Sequence, residues 1–527
     1  MQSHTILPRW LLAGATLLLP LLAVAGNAAD DHSRSAAAID HLVDQAVARY
    51  DLPGIAVGVI EDGRVVHVAT RGRLAVDGQA PVTADSLFKI ASNTKAMTAA
   101  VLARLVQAGK LRWDDPVTRH LPQFRMHDAW VTAQMQVRDL LLHNSGLGLG
   151  AGDLMLWPEP NDFGRADIIA GLAHLQPVTS FRAGYAYDNL LYVVAGEVAA
   201  AAGRKPFNQL LREEVFAPLG MDRCRAGEWS PAKVGNVAQP HVRRDGHNVV
   251  GARDGDWEED FPSMAAGGVR CSVNDMLRWM QALLDPERVP GWLEPAQRRA
   301  LWNAHMPMPI SQRLRDWDNS HFLAYGYGWR LSDMDGQWKV AHTGTLSGMY
   351  SSLALLPDAK NAAVILINGE GEAARTALMQ ALLKRWTQPG AGLDVNHYAG
   401  LLDAERGAQV AAGRVRPDTS AARPVKPAAF AAQGIYRDPW FGEVRLCAAG
   451  KTVEWRSAKS PRMVATVKQI DGRLLLDWNN LGEDADAWLT LEGEGGTATM
   501  TLAPIDPDID FSYDFQDLHF TRHGNCP

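Results

Sequence analysis

The chain has 527 residues, of which 47% are hydrophobic and 21% charged. That is an ordinary globular composition with length for two or three domains. A formal net charge of −7 with no basic run argues against a nucleic-acid binder. Four cysteines, without C-x-x-C or H-E-x-x-H, give no pattern for a structural zinc or a zincin site.

At the N-terminus, Arg9 precedes an apolar run from Trp10 to Ala25 that ends in Ala23-Val24-Ala25. A basic flank, an apolar core and a small-x-small end predict a secretory signal peptide over residues 1–25. A retained membrane anchor is the alternative, but Pro20 interrupts the run and it is short for a span. No other stretch is long and apolar enough to cross a bilayer. Export to a periplasmic or secreted location would place the cysteines in an oxidising compartment. Cys224 with Cys271 and Cys447 with Cys526 are then the simplest local pairs, although spacing alone does not fix connectivity.

Residues 35–49 carry an amphipathic helical pattern (Ile39, Leu42, Val43, Ala46). Two β-rich runs, 55–60 and 65–69, flank Glu61-Asp62-Gly63-Arg64 and predict a hairpin. From Thr94 to Ala108 nearly every face is apolar, which predicts a buried helix. Shorter elements follow, then a helical region after Tyr192. Strands return at 338–341, 350–356 and 362–367, and a helix closes the region at 373–386. The order suggests one sheet built from both ends of the domain, with helices inserted between. Residues 413–428, rich in Pro, Ala and Arg, read as a linker. Beyond it, six short strand patterns between 443 and 502 predict a small all-β sandwich or barrel.

Three Ser-x-x-Lys sequences occur: Ser86–Lys89, Ser92–Lys95 and Ser230–Lys233. Only Ser92 stands at the start of the all-apolar helix, where positions i and i+3 share a face. Lys95 can then reach the Ser92 hydroxyl, and burial favours its neutral, basic form. The alternative is a simple helix cap at Ser92 with a solvated Lys95. Tyr187-Asp188-Asn189 offers a phenol that a nearby ammonium would help ionise, and an amide with both donor and acceptor. His342-Thr343-Gly344-Thr345 follows a strand pattern. Gly344 allows close approach to substrate, and the Thr345 N–H could complete an oxyanion hole with that of Ser92.

Ser-x-x-Lys, then Tyr-x-Asn, then His-Thr-Gly in the place of Lys-Thr-Gly resembles the serine β-lactamase and penicillin-binding-protein superfamily. The detail is similar to its class C branch, which includes esterases and D-amino-acid peptidases. Leu141–Leu147, Ala217-Pro218-Leu219-Gly220-Met221, and Gly267-Gly268 before Asn274-Asp275-Met276 support the likeness. It covers residues 35–390. A helix and linker would occupy 391–428, and the all-β part, 429–523, is similar to the lipocalin-like domain fused to some of these hydrolases. The implied fold class is α+β: an antiparallel sheet with a helical subdomain, followed by a small barrel-like domain.

The resemblance implies that Ser92 becomes acylated, that Lys95 and Tyr187 share proton transfer, and that Asn189 holds the substrate amide. His342, Gly344 and Thr345 would line the other side of the cleft, with no metal or cofactor. The substrate would be a small molecule or short peptide: an ester, or the amide of a small or D-configured residue. A β-lactamase or D,D-peptidase on the same site is the alternative, and a non-catalytic sensor on this fold is another. Two departures stand out. The family's lysine is His342, a poorer fixed partner for a carboxylate near pH 7. Asp188 stands where a small residue is usual and matters only if it faces the cleft. The loop 153–160 is either a wall of that cleft or a surface loop. Oligomeric state stays open.

Overall fold

The computed structural model describes residues 25–527, so the expected leader lies outside the described residues apart from Ala25. No helix among the described residues is long and apolar enough to cross a membrane. Helix α1 (Ala25–Tyr50) leads into strands β1 (Gly54–Glu61) and β2 (Arg64–Gly72). Their turn puts Asp62 and Gly63 at φ +50° and +75°, the left-handed pair that suits a tight hairpin. Helix α2 (Thr94–Gln107) follows, and α3 (Leu190–Gly203) and α4 (Val273–Leu284) come next among the longer helices. The chain then returns to the sheet with β3 (Met306–Pro307), β4 (Leu323–Tyr325), β5 (Arg330–Met334) and β6 (Gln337–Leu346). Strands β7 (Met349–Leu356) and β8 (Asn361–Ile367) complete it, and α5 (Glu372–Thr387) and α6 (Val395–Ala411) follow.

The sheet is antiparallel in the order β2-β1-β8-β7-β6-β5-β4-β3, so strands from the two ends of the domain pair in its middle. Ile55 lies opposite Ile367, and Val59 opposite Ala363. Ile39, Val43 and Ala46 of α1 pack with Ala377, Leu378 and Leu382 of α5 on one face. The other face meets α4 and the helical region, where α2 is buried along nearly its whole length. A helix apolar all round needs such enclosure.

The C-terminal part is a closed barrel of eight antiparallel strands. They are β9 (Gly434–Asp438), β10 (Gly442–Ala449), β11 (Thr452–Ser457), β12 (Val464–Ile470), β13 (Arg473–Trp478), β14 (Ala487–Glu492), β15 (Thr499–Pro504) and β16 (His519–Gly524). Each pairs with the next, and β16 pairs back to β9. Closure leaves no free edge. Phe441, Trp455, Trp478, Phe515 and Phe520 fill the interior, with Trp455 edge-on to Trp478 at 5.2 Å, as small barrels require. The Pro/Ala-rich segment before the barrel lies along its wall: Arg423–Pro424 pairs with β12, and Arg416 meets Asp486. Disulfides join Cys224 to Cys271 and Cys447 to Cys526.

The two parts pack directly together. Phe163 of the N-terminal part meets Phe441 at 5.7 Å, and Lys459 pairs with Asp167 at 2.7 Å. Phe441 thus fills the barrel and seals the junction. Phe441→Ala is expected to lower stability by about 3–5 kcal/mol in denaturant unfolding; a loss under about 1 kcal/mol would mean that this ring cluster does not hold the two parts.

Candidate active site

Ser92 lies in a tight turn, Ala91–Asn93, that runs straight into α2. Ala91 has φ +48°, a conformation that costs an L-residue of order 1–2 kcal/mol and that clusters at functional sites. Two anchors hold the turn: the Asn93 amide donates to Ser351 Oγ (2.7 Å), which donates to the Ile90 carbonyl (2.7 Å). One helical turn on, Lys95 is fully buried. Its Nζ lies 3.2 Å from Ser92 Oγ, 2.6 Å from Asn189 Oδ1 and 2.9 Å from the Ala266 carbonyl. The rings of Tyr187 and Tyr192 lie 4.8 and 5.1 Å from the same nitrogen. The helix start and the i, i+3 spacing therefore produce the Ser–Lys contact.

The other two Ser-x-x-Lys sequences are structural. Ser86 Oγ donates to Asn236 Oδ1 at 2.6 Å, while Ser230 caps a short helix by accepting from Lys233 N–H at 3.3 Å.

Burial pulls the Lys95 amine down to about 7, with Arg330 pushing the same way and Asp153 and Asp188 opposing. Near neutral pH a good part of it is a free base. Burial pushes the Tyr187 phenol up to about 12, and this outweighs the lowering by Arg330 and the Ser92 hydroxyl. The sequence expectation that an ammonium would ionise this phenol gives way to desolvation, because Tyr187 is buried rather than open to water.

Asn189 bridges two groups. Its carbonyl accepts from Lys95, and its amide donates to Asp153 Oδ2 at 2.7 Å. Asp153 belongs to the loop 153–160; instead of lining an open wall, it is buried, and Leu154, Met155 and Leu156 enter the core. Burial holds the Asp153 carboxyl well above the usual carboxylate range. Asp188 also faces inward: its carboxylate accepts from Leu191 N–H in the first turn of α3, and its own N–H donates to His143 Nδ1 at 3.0 Å. His143, from the Leu-His-Asn-Ser-Gly sequence, is enclosed by Tyr185, Tyr187, Tyr192 and Tyr325, and burial keeps it neutral.

Strand β6 forms the opposite side. A Cβ on Gly344 would lie 2.2 Å from the Ile90 carbonyl and 2.4 Å from Ser351 Oγ. Only glycine lets this strand press against the turn of Ser92. Arg375 of α5 fixes the strand by donating to the Gly344 carbonyl (2.5 Å) and Thr345 Oγ1 (2.8 Å). His342 is buried next to Tyr187, with ring centroids 6.4 Å apart. Its Nδ1 must donate to the Thr343 carbonyl (2.7 Å), so Nε2 accepts from Tyr325 OH (2.9 Å). Burial holds it well below its ordinary range, in the neutral form. The fixed cation is instead Arg330 at the start of β5, 3.2 Å from Thr343 Oγ1 and over the Tyr187 ring at 5.9 Å. Burial opposes its charge, but a guanidinium is basic enough to stay protonated, so Arg330 is a permanent cation beside Tyr185, Tyr325 and Tyr187.

The fold thus brings Ser92, Lys95, Tyr187, Asn189, His342, Gly344 and Thr345 together. Sequence reading missed Arg330, Arg375 and the Ala266 carbonyl, and had Asp153 only as part of a loop that was either a cleft wall or a surface loop. For the Ala266 carbonyl, Gly267-Gly268 was the available sign, since a Cβ on Gly268 would lie 2.8 Å from Met264 Cα in the turn that brings this carbonyl to Lys95.

Among proteins of known name, the chain is 28% identical over 359 residues to unguisins hydrolase ungD' of Aspergillus campestris, covering 65% of this chain and 64% of that one. Its match therefore spans less than two thirds of that relative. It is 28% identical over 330 residues to penicillin-binding protein 4 of Amycolatopsis lactamdurans (62% and 83% covered) and 30% identical over 295 residues to esterase EstB of Burkholderia gladioli (51% and 75%). In fold it is similar to the octameric penicillin-binding protein homologue from Pyrococcus abyssi, with a TM-score of 0.58 at 18% identity, covering 92% of this chain and 99% of that one. A family model described as Beta-lactamase matches residues 39–385, most of the chain, and on that match this protein belongs to the Beta-lactamase family.

Proposed function

We propose that this protein is an exported serine hydrolase that opens an ester or a small or D-configured aminoacyl amide through an acyl intermediate on Ser92. The observation that carries this reading is the Lys95 amine, buried, 3.2 Å from Ser92 Oγ and lowered to about 7. A hydroxyl becomes a useful nucleophile when a neutral base sits within hydrogen-bond reach.

Ser92 Oγ attacks the carbonyl carbon and its proton passes to Lys95 Nζ. The oxyanion forms between the backbone N–H groups of Ser92 and Thr345, a role supported by the close approach of Gly344 to the Ile90 carbonyl next to the turn of Ser92. On collapse, the bond to the leaving group breaks. Tyr187, protonated because of burial, gives its proton to that group and is replenished from the Lys95 ammonium. Water then attacks the acyl carbon, gives a proton to the same pair, and releases the acid and the Ser92 hydroxyl. Asn189 is tied to both Lys95 and Asp153; it holds the amine in place, and contact with a substrate amide is its second proposed role. His342 orients the wall through Tyr325, and Gly344 and Thr345 line it.

Export is supported by the N-terminal apolar run and by two disulfides, which persist in oxidising compartments. A second reading, cleavage of an amide or lactam that carries a carboxylate, is favoured by Arg330, which supplies the cation that His342 does not.

Ser92→Ala is expected to retain the fold and to lose roughly 10³-fold or more of the turnover of nitrophenyl esters or aminoacyl anilides. Persistent turnover would remove the assignment, while a stable acyl adduct on Ser92 without turnover would favour a sensor. Only unprotonated Lys95 takes the Ser92 proton, so kcat/KM should fall about tenfold per pH unit below about 7 and level off above it; a profile flat from pH 5 to 8 would exclude Lys95 as base. Gly344→Ala should cut kcat at least about tenfold by pushing β6 off the turn, and wild-type rates would mean that the strand is not part of the oxyanion site. Arg330→Ala, assayed with a chromogenic cephalosporin, should raise KM about tenfold under the carboxylate reading. An unchanged KM would retire that reading.

A further inference from the structure

The 505–518 segment between β15 and β16 leaves the barrel and reaches the nucleophile site. Three contacts fix it there. Ser512 Oγ donates to Asp153 Oδ2 at 3.0 Å, the same carboxylate that receives the Asn189 amide. Asp514 accepts from the backbone N–H of Gly152 (2.5 Å) and of Leu154 (3.3 Å). A Cβ on Gly150, whose φ is +72°, would lie 2.4 Å from the Phe511 carbonyl. Between these anchors the Phe511 ring stands edge-on to Tyr187, 5.7 Å between centroids. The Gly150 N–H in turn donates to the Tyr187 carbonyl at 2.8 Å. Barrel, turn and phenol form one continuous wall.

Phe511 also lines a groove of about 280 Å³ between the two parts, together with Leu149, Val178 and Tyr513 and the polar Gln516 and Asp517. Leu149, Val178 and Phe511 are 51%, 64% and 38% exposed. Three of the ten large hydrophobic side chains exposed among the described residues thus gather around this one depression. Scattered exposed apolar residues need no explanation, but a contiguous set beside a reactive centre marks a binding surface. The volume suits a small group, not a whole ligand.

We propose that the 505–518 segment completes the substrate site, with Phe511 a specificity-determining residue and the groove it lines receiving an apolar substituent of the substrate. The proposal rests on the serine-hydrolase reading above. The apolar group belongs either to the acyl part or to the leaving group, and two series of esters separate these sources. One series is nitrophenyl esters with acyl chains of increasing length; the other is acetate esters of alcohols of increasing apolar size.

In full-length Phe511→Ala, the ratio of kcat/KM for the largest to the smallest ester should change at least about fivefold in one series. The responding series identifies the part of the substrate that the groove takes. Leu149→Asp should lower the same ratio, and Phe511→Leu, which keeps an apolar wall, should fall between wild type and Phe511→Ala. Ratios within about twofold of wild type in both series, for all three variants, would overturn the proposal while leaving the hydrolase reading intact. A wild type that turns over no ester of either series and no aminoacyl anilide would overturn the hydrolase reading and this proposal with it.

Discussion

The site depends on the burial of one amine. Lys95 is removed from water at the start of a buried helix, and among the described residues its side chain hydrogen-bonds to Ser92 Oγ, Asn189 Oδ1 and the Ala266 carbonyl. A buried ammonium without a full counter-charge is costly, so the neutral form gains and the basicity drops into the physiological range. Asp153 and Asp188 partly offset this through space, Asp153 with the Asn189 amide in between, and burial favours the neutral form of both carboxyls. A direct carboxylate contact would have locked the amine as a cation. The intervening amide keeps Lys95 positioned and still able to accept a proton.

The geometry around that amine has to come from distant parts of the chain. Asn189 and Ala266 lie 94 and 171 residues from Lys95. The sheet supplies the opposite wall because its middle pairs strands from the two ends of the domain, which lays β6 against the turn of Ser92. Glycine at 344 permits that approach, and Arg375 holds the strand from the helix behind it. Both turn and strand are fixed by side-chain hydrogen bonds from neighbouring elements, so the site is built before substrate arrives, as preorganised catalysis requires.

Much of this was legible in the sequence, and where it was not the reasons are physical. Ser92 and Lys95 stood out because an unbroken apolar helix begins beside them and its period fixes their relation. The Asp62-Gly63 hairpin and the strands β6 to β8 were readable from local turn chemistry and short apolar runs. Arg330 was hidden: β5 is five residues long with the sequence Arg-Leu-Ser-Asp-Met, and nothing in that pattern marks a strand or a cleft. Asp153 read as part of an ambiguous loop, because its partner Ser512 is 359 residues away. Tyr187 was expected to ionise more easily from its charged neighbour alone. Spacing predicted the neighbour but not the depth of burial, and burial is the larger effect.

The barrel, too, was readable as strands but not as a partner of the site, since its contribution comes from a segment between strands. The measurement that bears most directly on the account is an NMR titration of lysine labelled with ¹³C at Cε, with the Lys95 signal assigned by its absence in Lys95→Met. The account predicts that this one lysine titrates near 7 in the intact protein. A midpoint near the ordinary lysine value of about 10.4 would contradict it, because the amine beside Ser92 would then be a cation at neutral pH and not a base.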